Sequence, residues 1–249
     1  MRIIARLDIK GPNLIKGIHF EGLRVIGDPN QYATKYYKQG ADELLLIDCV
    51  ASLYGRNNLL DIIKKASDEI FIPITVGGGI RSIEDAEKLF LSGADKIAIN
   101  SKAINDPNII NDLAKNFGSQ AIVASIQAKK YDDKKWLAYY ENGRENSEKE
   151  VLEWVKEVED RGAGEILITS IDREGTRDGF EMELCDQFNS ICNIPVIYCG
   201  GMNSKNDLIN FKEFSECDGI ALASILHYNQ TDIEEIKSYA KQINLKVRF

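Results

Sequence analysis

Two similar octamers differ at a position that decides what chemistry each copy can perform. Ile3–Lys10 reads IIARLDIK and Ile122–Lys129 reads IVASIQAK, so that Asp8 aligns with Gln127. A carboxylate can take up or release a proton in general acid–base catalysis, whereas an amide can only donate and accept hydrogen bonds. The first copy therefore carries a candidate catalytic group, and the second carries a residue suited to binding or orientation.

Glycine pairs at two matched places predict anion sites. Backbone N–H groups can approach an anion closely at glycine, and a helix that starts nearby adds a favourable dipole. The same glycines would also serve simply to turn the chain, but two matched sites favour a long ligand with a phosphate at each end. We call them the first cradle, with Gly78, Gly79, Asn100 and Ser101, and the second cradle, with Gly200, Gly201, Ala223 and Ser224.

The elements that must position these residues repeat along the chain. GADELLLI and IPITVGGGIRS in the first half are matched by GAGEILIT and IPVIYCGGMNS in the second, and the octamers keep the same order. Each half contains four short apolar runs, separated by stretches of helical periodicity such as IEDAEKLFLSG and EKEVLEWVKEVEDRG. The runs predict strands at Arg2–Leu7, Glu43–Ile47, Ile74–Val76, Lys96–Ile99, Ala121–Ile126, Glu165–Thr169, Val196–Tyr198 and Gly219–Leu222.

Strands that are apolar on both faces and alternate with helices indicate a parallel sheet covered by helices. Eight such units in two matched halves fit a closed barrel better than an open doubly wound sheet. The sequence therefore predicts one (β/α)8 TIM barrel over residues 1–249, with half-barrels at about 1–119 and 120–249. In such a barrel the functional residues gather at the C-terminal ends of the strands.

Composition restricts the class of partner. Apolar residues make up 44% of the 249 residues, the net charge is -8, and the sequence pI is near 5.0, which argues against nucleic-acid and anionic-membrane surfaces. The five cysteines form no CxxC pair, and with two histidines a multi-histidine metal site is not expected. Without a signal-peptide pattern or a membrane-length apolar run, we expect a cytoplasmic protein that uses neither metal nor cofactor.

Longer stretches of the chain form recognisable motifs, among them KGIHFEGLR, GADELLLID, IPITVGGGIRSIEDAEKL, GADKIAIN and EWVKEVEDRGAGEILITSIDREGT. With these stretches the chain resembles, along nearly its whole length, the HisF family, the cyclase subunits of imidazole glycerol phosphate synthase. The resemblance implies a barrel that binds a substrate with two phosphates, docks a glutaminase subunit under its floor and receives ammonia through its centre. Ammonia then reacts at the top, giving imidazole glycerol phosphate and an aminoimidazole carboxamide ribotide.

The family's two catalytic carboxylates lie at the ends of strands 1 and 5, and the resemblance carries only the first over, onto Asp8. Gln127 occupies the second position. Strand alternation places Arg6 on the same inward face as Asp8, where the family usually has a small or apolar residue. Arg6 would favour the charged form of Asp8 and weaken it as a proton donor, or would simply neutralise a buried acid. Both interpretations predict impaired cyclase chemistry.

Other residues match further positions of the family. Four charged residues at strand starts match its ammonia gate, although in an arbitrary barrel they would simply seal the floor: Arg2, Glu43, Lys96 and Glu165. Asp95 and Gln120 match its glutaminase interface, and Glu174 stands where aspartate is usual. The positions that match substrate-binding residues, besides the two cradles, are Lys16, Asp48, Thr169 and Gly175.

These observations leave three functions open. The leading hypothesis is a HisF-like subunit that passes ammonia from a glutaminase to a third protein, as in paralogues that resemble parts of surface-polysaccharide and flagellin-sugar pathways. The second is a true cyclase of histidine biosynthesis, in which Asp8 carries the acid–base work and Gln127 orients substrate or water. The third is an assembly scaffold, which a lumen blocked by Arg6 would favour.

Overall fold

The apolar runs of the sequence form the eight parallel strands of a closed barrel. The computed structural model describes residues 1–50, 59–212 and 217–248. Its strands, in chain order, are β1 (Arg2–Lys10), β2 (Asn13–Ile18), β3 (Glu21–Gly27), β4 (Glu43–Asp48), β5 (Ile74–Gly77), β6 (Lys96–Ile99), β7 (Ile122–Asp132), β8 (Lys135–Tyr140), β9 (Glu145–Glu150), β10 (Glu165–Ser170), β11 (Val196–Cys199) and β12 (Gly219–Leu222).

Parallel pairing runs around a complete ring in the order β1, β4, β5, β6, β7, β10, β11, β12 and back to β1. Each of these strands has two hydrogen-bonded neighbours, so the ring has no open edge. The predicted (β/α)8 barrel is therefore confirmed. Because β1 and β7 are four steps apart in the ring, the strands that carry Asp8 and Gln127 face each other across the barrel.

Helices pack around the outside of the ring. They are α1 (Pro29–Lys38), α2 (Leu60–Glu69), α3 (Ile83–Leu91), α4 (Ser101–Asn105), α5 (Asn108–Phe117), α6 (Val151–Asp160), α7 (Met182–Ile191), α8 (Leu208–Lys212), α9 (Ser224–His227) and α10 (Ile233–Gln242). Helix α3 shows why they begin and end where they do: the Ser82 side chain accepts a hydrogen bond from the Asp85 N–H, and Gly93 follows with φ 110°. Within the described ranges, no helix is long and apolar enough to cross a membrane.

Alternation along the strands separates two apolar layers. Ile3, Ala5 and Leu7 of β1 pack outward against the helices, as part of the main core. Ile4 points inward and belongs to a second apolar cluster inside the barrel, together with Leu45, Ala98, Val123, Leu167, Ile197, Cys199 and Ala221. This inner layer fills the barrel between the charged floor and the polar mouth.

Both strands of the opening octamers extend beyond the barrel into antiparallel hairpins that the sequence did not predict. Strand β1 continues to Lys10 and pairs with β2, and β7 continues to Asp132 and pairs with β8. The predicted strand from Ala121 begins instead at Ile122, after a 3₁₀ turn at Ser119–Ala121. The predicted helical stretch from Glu148 begins at Val151, because residues 148–150 belong to β9.

The two ends of the described chain meet on the floor. The Met1 ammonium group donates a hydrogen bond to the Lys246 carbonyl at 2.8 Å, and the Arg248 N–H donates to the Met1 carbonyl at 3.2 Å. Strand β1 pairs with β12 directly above this contact, with Arg2 opposite Gly219. The seam of the barrel is thus closed both by the sheet and by the chain ends.

Candidate functional site

Four buried charges occupy the mouth of the barrel, and we call them the mouth quartet: Arg6, Asp8, Lys16 and Glu174. The Arg6 Nε donates to Asp8 Oδ1 at 2.8 Å, and the Lys16 Nζ donates to Asp8 Oδ2 at 3.0 Å. Lys16 also forms an ion pair with Glu174. All four side chains are at least nine-tenths buried, so two cations and two anions balance one another away from water.

The quartet fixes the charge state of Asp8. Burial alone would raise the pKa of its carboxyl group, but the Arg6 guanidinium and the Lys16 ammonium outweigh that effect and hold the pKa well below its ordinary range. An acid with so low a pKa carries no proton to give at neutral pH. Asp8 is therefore fixed as a carboxylate, as the position of Arg6 in the sequence predicted.

Arg6 also reaches across the lumen. Its Nη1 donates to Thr169 Oγ1 at 3.1 Å and contacts Cys199 Sγ at 3.3 Å, and its guanidinium carbon lies 5.5 Å from the centre of the Phe20 ring. Thr169 and Cys199 belong to β10 and β11, on the far side of β12 from β1. The guanidinium thus lies over the inner apolar layer, between the lumen and the mouth.

The first cradle opens into a cavity of about 240 Å³. Gly78 has φ 98°, and a Cβ there would overlap the backbone carbonyl oxygen of Asp48, so only glycine fits between these two strand ends. We call this space the first cavity; it is lined by Asp48, Cys49, Gly78, Gly79, Arg81, Asn100, Ser101, Lys102, Gln127, Glu141 and Asn142, among others.

Gln127 lines the first cavity and is nine-tenths buried, with 9% of its surface exposed. Its Oε1 has no hydrogen-bond partner among the described residues. A buried amide oxygen without a partner is costly, which makes it a group that a ligand would satisfy. Gln127 therefore faces the cavity, while Asp8 on the opposite strand is held by Arg6 and Lys16.

The polar dipeptide of the first cradle ties down a hairpin turn. Asn100 Nδ2 donates to the carbonyl oxygens of Ser125 and Tyr139, at 2.9 and 3.1 Å. Ser101 Oγ accepts a hydrogen bond from the Glu141 N–H at 3.1 Å. The turn between β8 and β9 is thereby held over the cavity, which brings in Glu141, a residue that no pattern in the sequence identified.

The second cradle is nearly filled by the chain itself. The Gly179 N–H donates to the Gly201 carbonyl at 2.8 Å, and a Cβ at Gly201 would overlap the Gly179 carbonyl oxygen. The remaining space measures about 20 Å³ and is lined by Glu174, Gly175, Gly200, Gly201, Ala223 and Ser224, among others. The two cradles therefore match in sequence but differ in the room that they leave.

Of three further predicted site residues, Gly175 and Asp48 position loops and Thr169 positions a side chain. Gly175 has φ 77°, and a Cβ there would overlap the Gly17 carbonyl oxygen of the β2–β3 hairpin. Asp48 Oδ1 accepts a hydrogen bond from the Val50 N–H at 3.0 Å at the end of β4. Thr169 holds the Arg6 guanidinium. Of the predicted mouth residues, Asp8, Lys16 and Thr169 come together in one network and Asp48 and Gln127 in the first cavity.

The floor carries a closed ring of charges, formed by Arg2, Glu43, Lys96 and Glu165. Arg2 pairs with Glu43 at 3.0 Å and also with Glu165, and Lys96 pairs with the same two carboxylates at 2.9 and 2.7 Å. Burial alone would lower the pKa of Arg2, but the Glu165 and Glu43 carboxylates raise it above its ordinary value. The predicted gate residues thus form one alternating ring at the lower end of the lumen.

Floor residues outside the ring have structural contacts as well. Asp95 Oδ2 accepts a hydrogen bond from the Ile74 N–H at 2.8 Å, which ties the start of β5 to the loop before β6. Gln120 is exposed in the 3₁₀ turn before β7. Phe71 is 80% exposed in the loop before β5, and Leu91 is 82% exposed at the end of α3; the sequence analysis missed both.

The site offers no evident metal centre. Among residues 1–50, 59–212 and 217–248, no three His, Cys, Asp or Glu side chains come together in a way that would hold a metal ion. The groups that meet at the mouth are instead those that bind small anions and polar organic molecules. The fold and the site together define the protein as a (β/α)8 barrel with glycine-lined cradles at its mouth and a charged ring at its floor.

Comparison with known proteins identifies the family. Residues 2–232 match the family described as histidine biosynthesis protein. The chain is 59% identical over 202 residues to imidazole glycerol phosphate synthase subunit HisF of Legionella pneumophila, which covers 81% of this chain and 95% of that protein. It is 43% and 41% identical over 247 residues to the HisF subunits of Hydrogenobaculum sp. and Alkaliphilus metalliredigens, covering 99% of this chain and 98% of each. The chain belongs to the histidine biosynthesis protein family and, within it, to HisF.

Proposed function

We propose that this chain is the HisF-type synthase subunit of a glutamine amidotransferase complex, in which ammonia enters at the floor ring and is passed toward the mouth. Its relatives are named as subunits of imidazole glycerol phosphate synthase, a name that implies a cyclase in a multisubunit enzyme. In this chain we propose that the cyclase step is impaired, so that ammonia delivery is the main activity.

The floor supports a glutaminase partner. The ring of Arg2, Glu43, Lys96 and Glu165 lies at the start of the lumen, where ammonia from a partner below would enter. Phe71 and Leu91 expose large apolar side chains on the same end of the barrel, where water contact is unfavourable unless a partner covers them. Asp95 and Gln120 lie on this end too, so we propose that the floor docks a HisH-type glutaminase.

The charge state of Asp8 is the main observation that supports an impaired cyclase. Its carboxylate is held by two buried cations and cannot donate a proton, and the strand on the opposite side of the barrel carries the amide of Gln127. General acid–base help is worth about 10²–10⁴-fold in rate, so the loss of both proton donors should reduce turnover by about that factor. The barrel would then release ammonia at its mouth to another acceptor.

We extend this proposal to the fate of the ammonia. A third protein bound at the mouth would use it to amidate a nucleotide sugar, in the synthesis of a surface polysaccharide or a flagellin sugar. The support is the resemblance to such paralogues together with the altered mouth, in which Arg6 and Gln127 replace the usual residues. The phosphate cradles would then be retained or used for a different ligand.

The second candidate is a true cyclase of histidine biosynthesis. The names of the relatives and the open first cavity favour it. In that mechanism the Asp8 carboxylate would act as a base only, and Gln127 would orient the substrate or a water molecule. This candidate predicts turnover without any second carboxylate.

A turnover assay with high ammonium salt separates the two candidates. The purified barrel is mixed with the bisphosphorylated cyclase substrate, so that no glutaminase is needed. We expect the wild-type chain to turn over about 10²–10⁴-fold more slowly than the variant that combines Gln127→Asp with Arg6→Cys, which restores an acid and removes the cation beside Asp8. Turnover by the wild-type chain at an ordinary enzymatic rate would refute the impaired cyclase.

The docking proposal has its own test. We expect the barrel to increase glutamine hydrolysis by a HisH-type glutaminase, and Phe71→Asp to reduce that increase, because it places a charge in the proposed contact. Val25→Asp is the matched control, since Val25 is an exposed apolar residue of the mouth hairpin. No increase by the wild-type barrel, or an equal effect of both variants, would contradict docking at the floor.

A further inference from the structure

The first cavity contains two acceptor oxygens that lack donors. Gln127 Oε1 and Glu141 Oε2 are buried and have no hydrogen-bond partner in the described part of the chain. Both residues line this cavity. An unsatisfied buried acceptor costs about 1–3 kcal/mol, so each oxygen favours a ligand that offers it a hydrogen. The two groups differ in chemistry, because the Glu141 carboxylate can take up and release a proton and the Gln127 amide cannot.

The pairing of β7 with β8 brings Glu141 close to Gln127. Gln127 lies opposite Tyr139 in the antiparallel register, and Glu141 follows Tyr139 by two residues, directly after β8. Diagonal neighbours of this kind lie about 7–8 Å apart, within reach of long side chains. Glu141 thus brings a carboxylate to the part of the cavity where β7 itself supplies only an amide.

The turn that carries Glu141 is held from two sides. On one side the Glu141 N–H donates to Ser101 Oγ at 3.1 Å. On the other side the turn packs against the β2–β3 hairpin: Gly143 has φ 78°, and a Cβ there would lie 2.9 Å from the Phe20 ring. The backbone of Glu141 therefore has a fixed position that does not depend on its carboxylate, and a change of Glu141 to an amide removes the charge without releasing the turn.

The other ionisable groups of the cavity are less suited to exchange a proton with a ligand. Among the described side chains that line it, they are Asp48, Cys49, Arg81 and Lys102. Arg81 and Lys102 are cations and cannot accept a proton. Burial raises the pKa of the Cys49 thiol well above its ordinary value, so Cys49 stays protonated. Asp48 Oδ1 accepts a hydrogen bond from a backbone N–H at 3.0 Å, which anchors the end of β4.

We propose, as an addition that rests on the proposed function, that Glu141 exchanges protons with the ligand of the first cavity and carries the turnover that the impaired cyclase retains. When ammonia displaces a hydroxyl group, its nitrogen must lose one proton and the hydroxyl must gain one. Glu141 Oε2 takes the proton from the nitrogen and returns it to the hydroxyl, which leaves as water. Because Glu141 lies on a turn rather than at a strand end, its alignment is less exact and the step stays slow.

The ammonium assay, run at high concentrations of the full chain, tests this role. Glu141→Gln should lower kcat by about 10- to 100-fold, at and below the lower end of the range for general acid–base catalysis. KM should stay within about twofold, because an amide still accepts a hydrogen bond, and the pH profile of kcat should lose one titrating group. Glu145→Gln is the matched control: Glu145 is exposed on the same hairpin, and its substitution should change none of these quantities.

A second background separates a chemical role of Glu141 from a structural one. The variant that combines Gln127→Asp with Arg6→Cys has a carboxyl group at position 127, which can exchange the proton in place of Glu141. Adding Glu141→Gln to that variant should therefore lower its kcat by less than about threefold, as expected for two groups that share one task. A purely structural role of Glu141 would lower kcat by the same factor in both backgrounds.

Equal factors in the two backgrounds would overturn the inference, and so would an unchanged pH profile or an equal effect of Glu145→Gln. A wild-type chain without measurable turnover would overturn it as well, because no turnover would be left for Glu141 to carry. Wild-type turnover at an ordinary enzymatic rate would refute the impaired cyclase instead, and the effect of Glu141→Gln on that rate would still decide the role of Glu141. Failure of this inference is therefore distinct from failure of the proposed function.

Discussion

The mouth quartet makes the sharpest prediction about the energetics of the barrel. Arg6→Met leaves one excess negative charge among buried groups, and Asp8→Asn leaves one excess positive charge. The double variant restores neutrality, with Lys16 and Glu174 still paired. The two substitutions should therefore be strongly non-additive.

The magnitude follows from the contacts that remain. Removing one partner of a buried ion pair typically costs about 3–5 kcal/mol, and the lower end applies here because each variant keeps a second contact. Asp8 retains Lys16 at 3.0 Å after Arg6→Met, and Arg6 retains Thr169 at 3.1 Å after Asp8→Asn. We expect about 3 kcal/mol for each single variant and about 3 kcal/mol for the double variant, a coupling energy of about 3 kcal/mol.

Urea unfolding at pH 7 measures this coupling. The buried indole rings of Trp136 and Trp154 report the transition in which the native barrel is lost, and the free energy of that transition is compared among the four proteins. Circular dichroism confirms that each variant is folded at the start. A double variant that loses the sum of the two single losses, within about 0.5 kcal/mol, would refute the quartet as a charge-balanced unit.

Three further predictions concern other parts of the barrel. Burial lowers the pKa of His227 to about 3, whereas its unfolded-state pKa is near 6.5. The free energy of unfolding should therefore fall by about 1.4 kcal/mol per pH unit as the pH drops from 6.5 toward 3. His227→Gln should remove this contribution when unfolding is measured as a function of pH. Gly78→Ala should lower the free energy of unfolding by more than about 3 kcal/mol in thermal unfolding, because the new Cβ would overlap a backbone carbonyl. Gly40→Ala should lower it by only about 1 kcal/mol, because Gly40 also has a positive φ but has open space around it. Lys96→Met should cost about 2 kcal/mol in urea unfolding, because the floor carboxylates lose one of two cations. Lys102→Met breaks a partly exposed ion pair within one helical turn and should cost less than about 0.5 kcal/mol. The opposite order in either pair, or an unchanged slope, would contradict the corresponding argument.

The barrel itself was predictable because each of its strands shows a pattern that can be read from neighbouring residues in the sequence. Strands buried on both faces read as continuous apolar runs, and Lys96–Ile99 and Gly219–Leu222 are correct to the residue. The hairpins after β1 and β7 were not predictable in this way. Residues such as Lys130 and Asp132 lie outside the barrel, where polar side chains form a strand only because a hairpin partner supplies the hydrogen bonds.

The site was predictable to the extent that it depends on neighbours in sequence. The contact of Arg6 with Asp8 follows from alternation along one strand, and the structure has it at 2.8 Å. The closure of the second cradle depends on Gly179 lying against Gly201 and on Lys16 reaching Glu174, 158 residues away. The glycines of the two cradles look alike in sequence, and only packing between distant loops makes them different.

The meeting of the chain ends on the floor has a practical consequence for anyone who labels or fuses this protein. Met1 and Lys246 are joined by a hydrogen bond beside the charged ring, so an affinity tag or reporter at either end emerges where we propose that the glutaminase docks. A tagged barrel that fails to stimulate its partner would then be obstructed rather than defective. A circular permutant that joins these ends and opens the chain at the exposed turn between β7 and β8 would leave the floor clear and move any fusion to the opposite face.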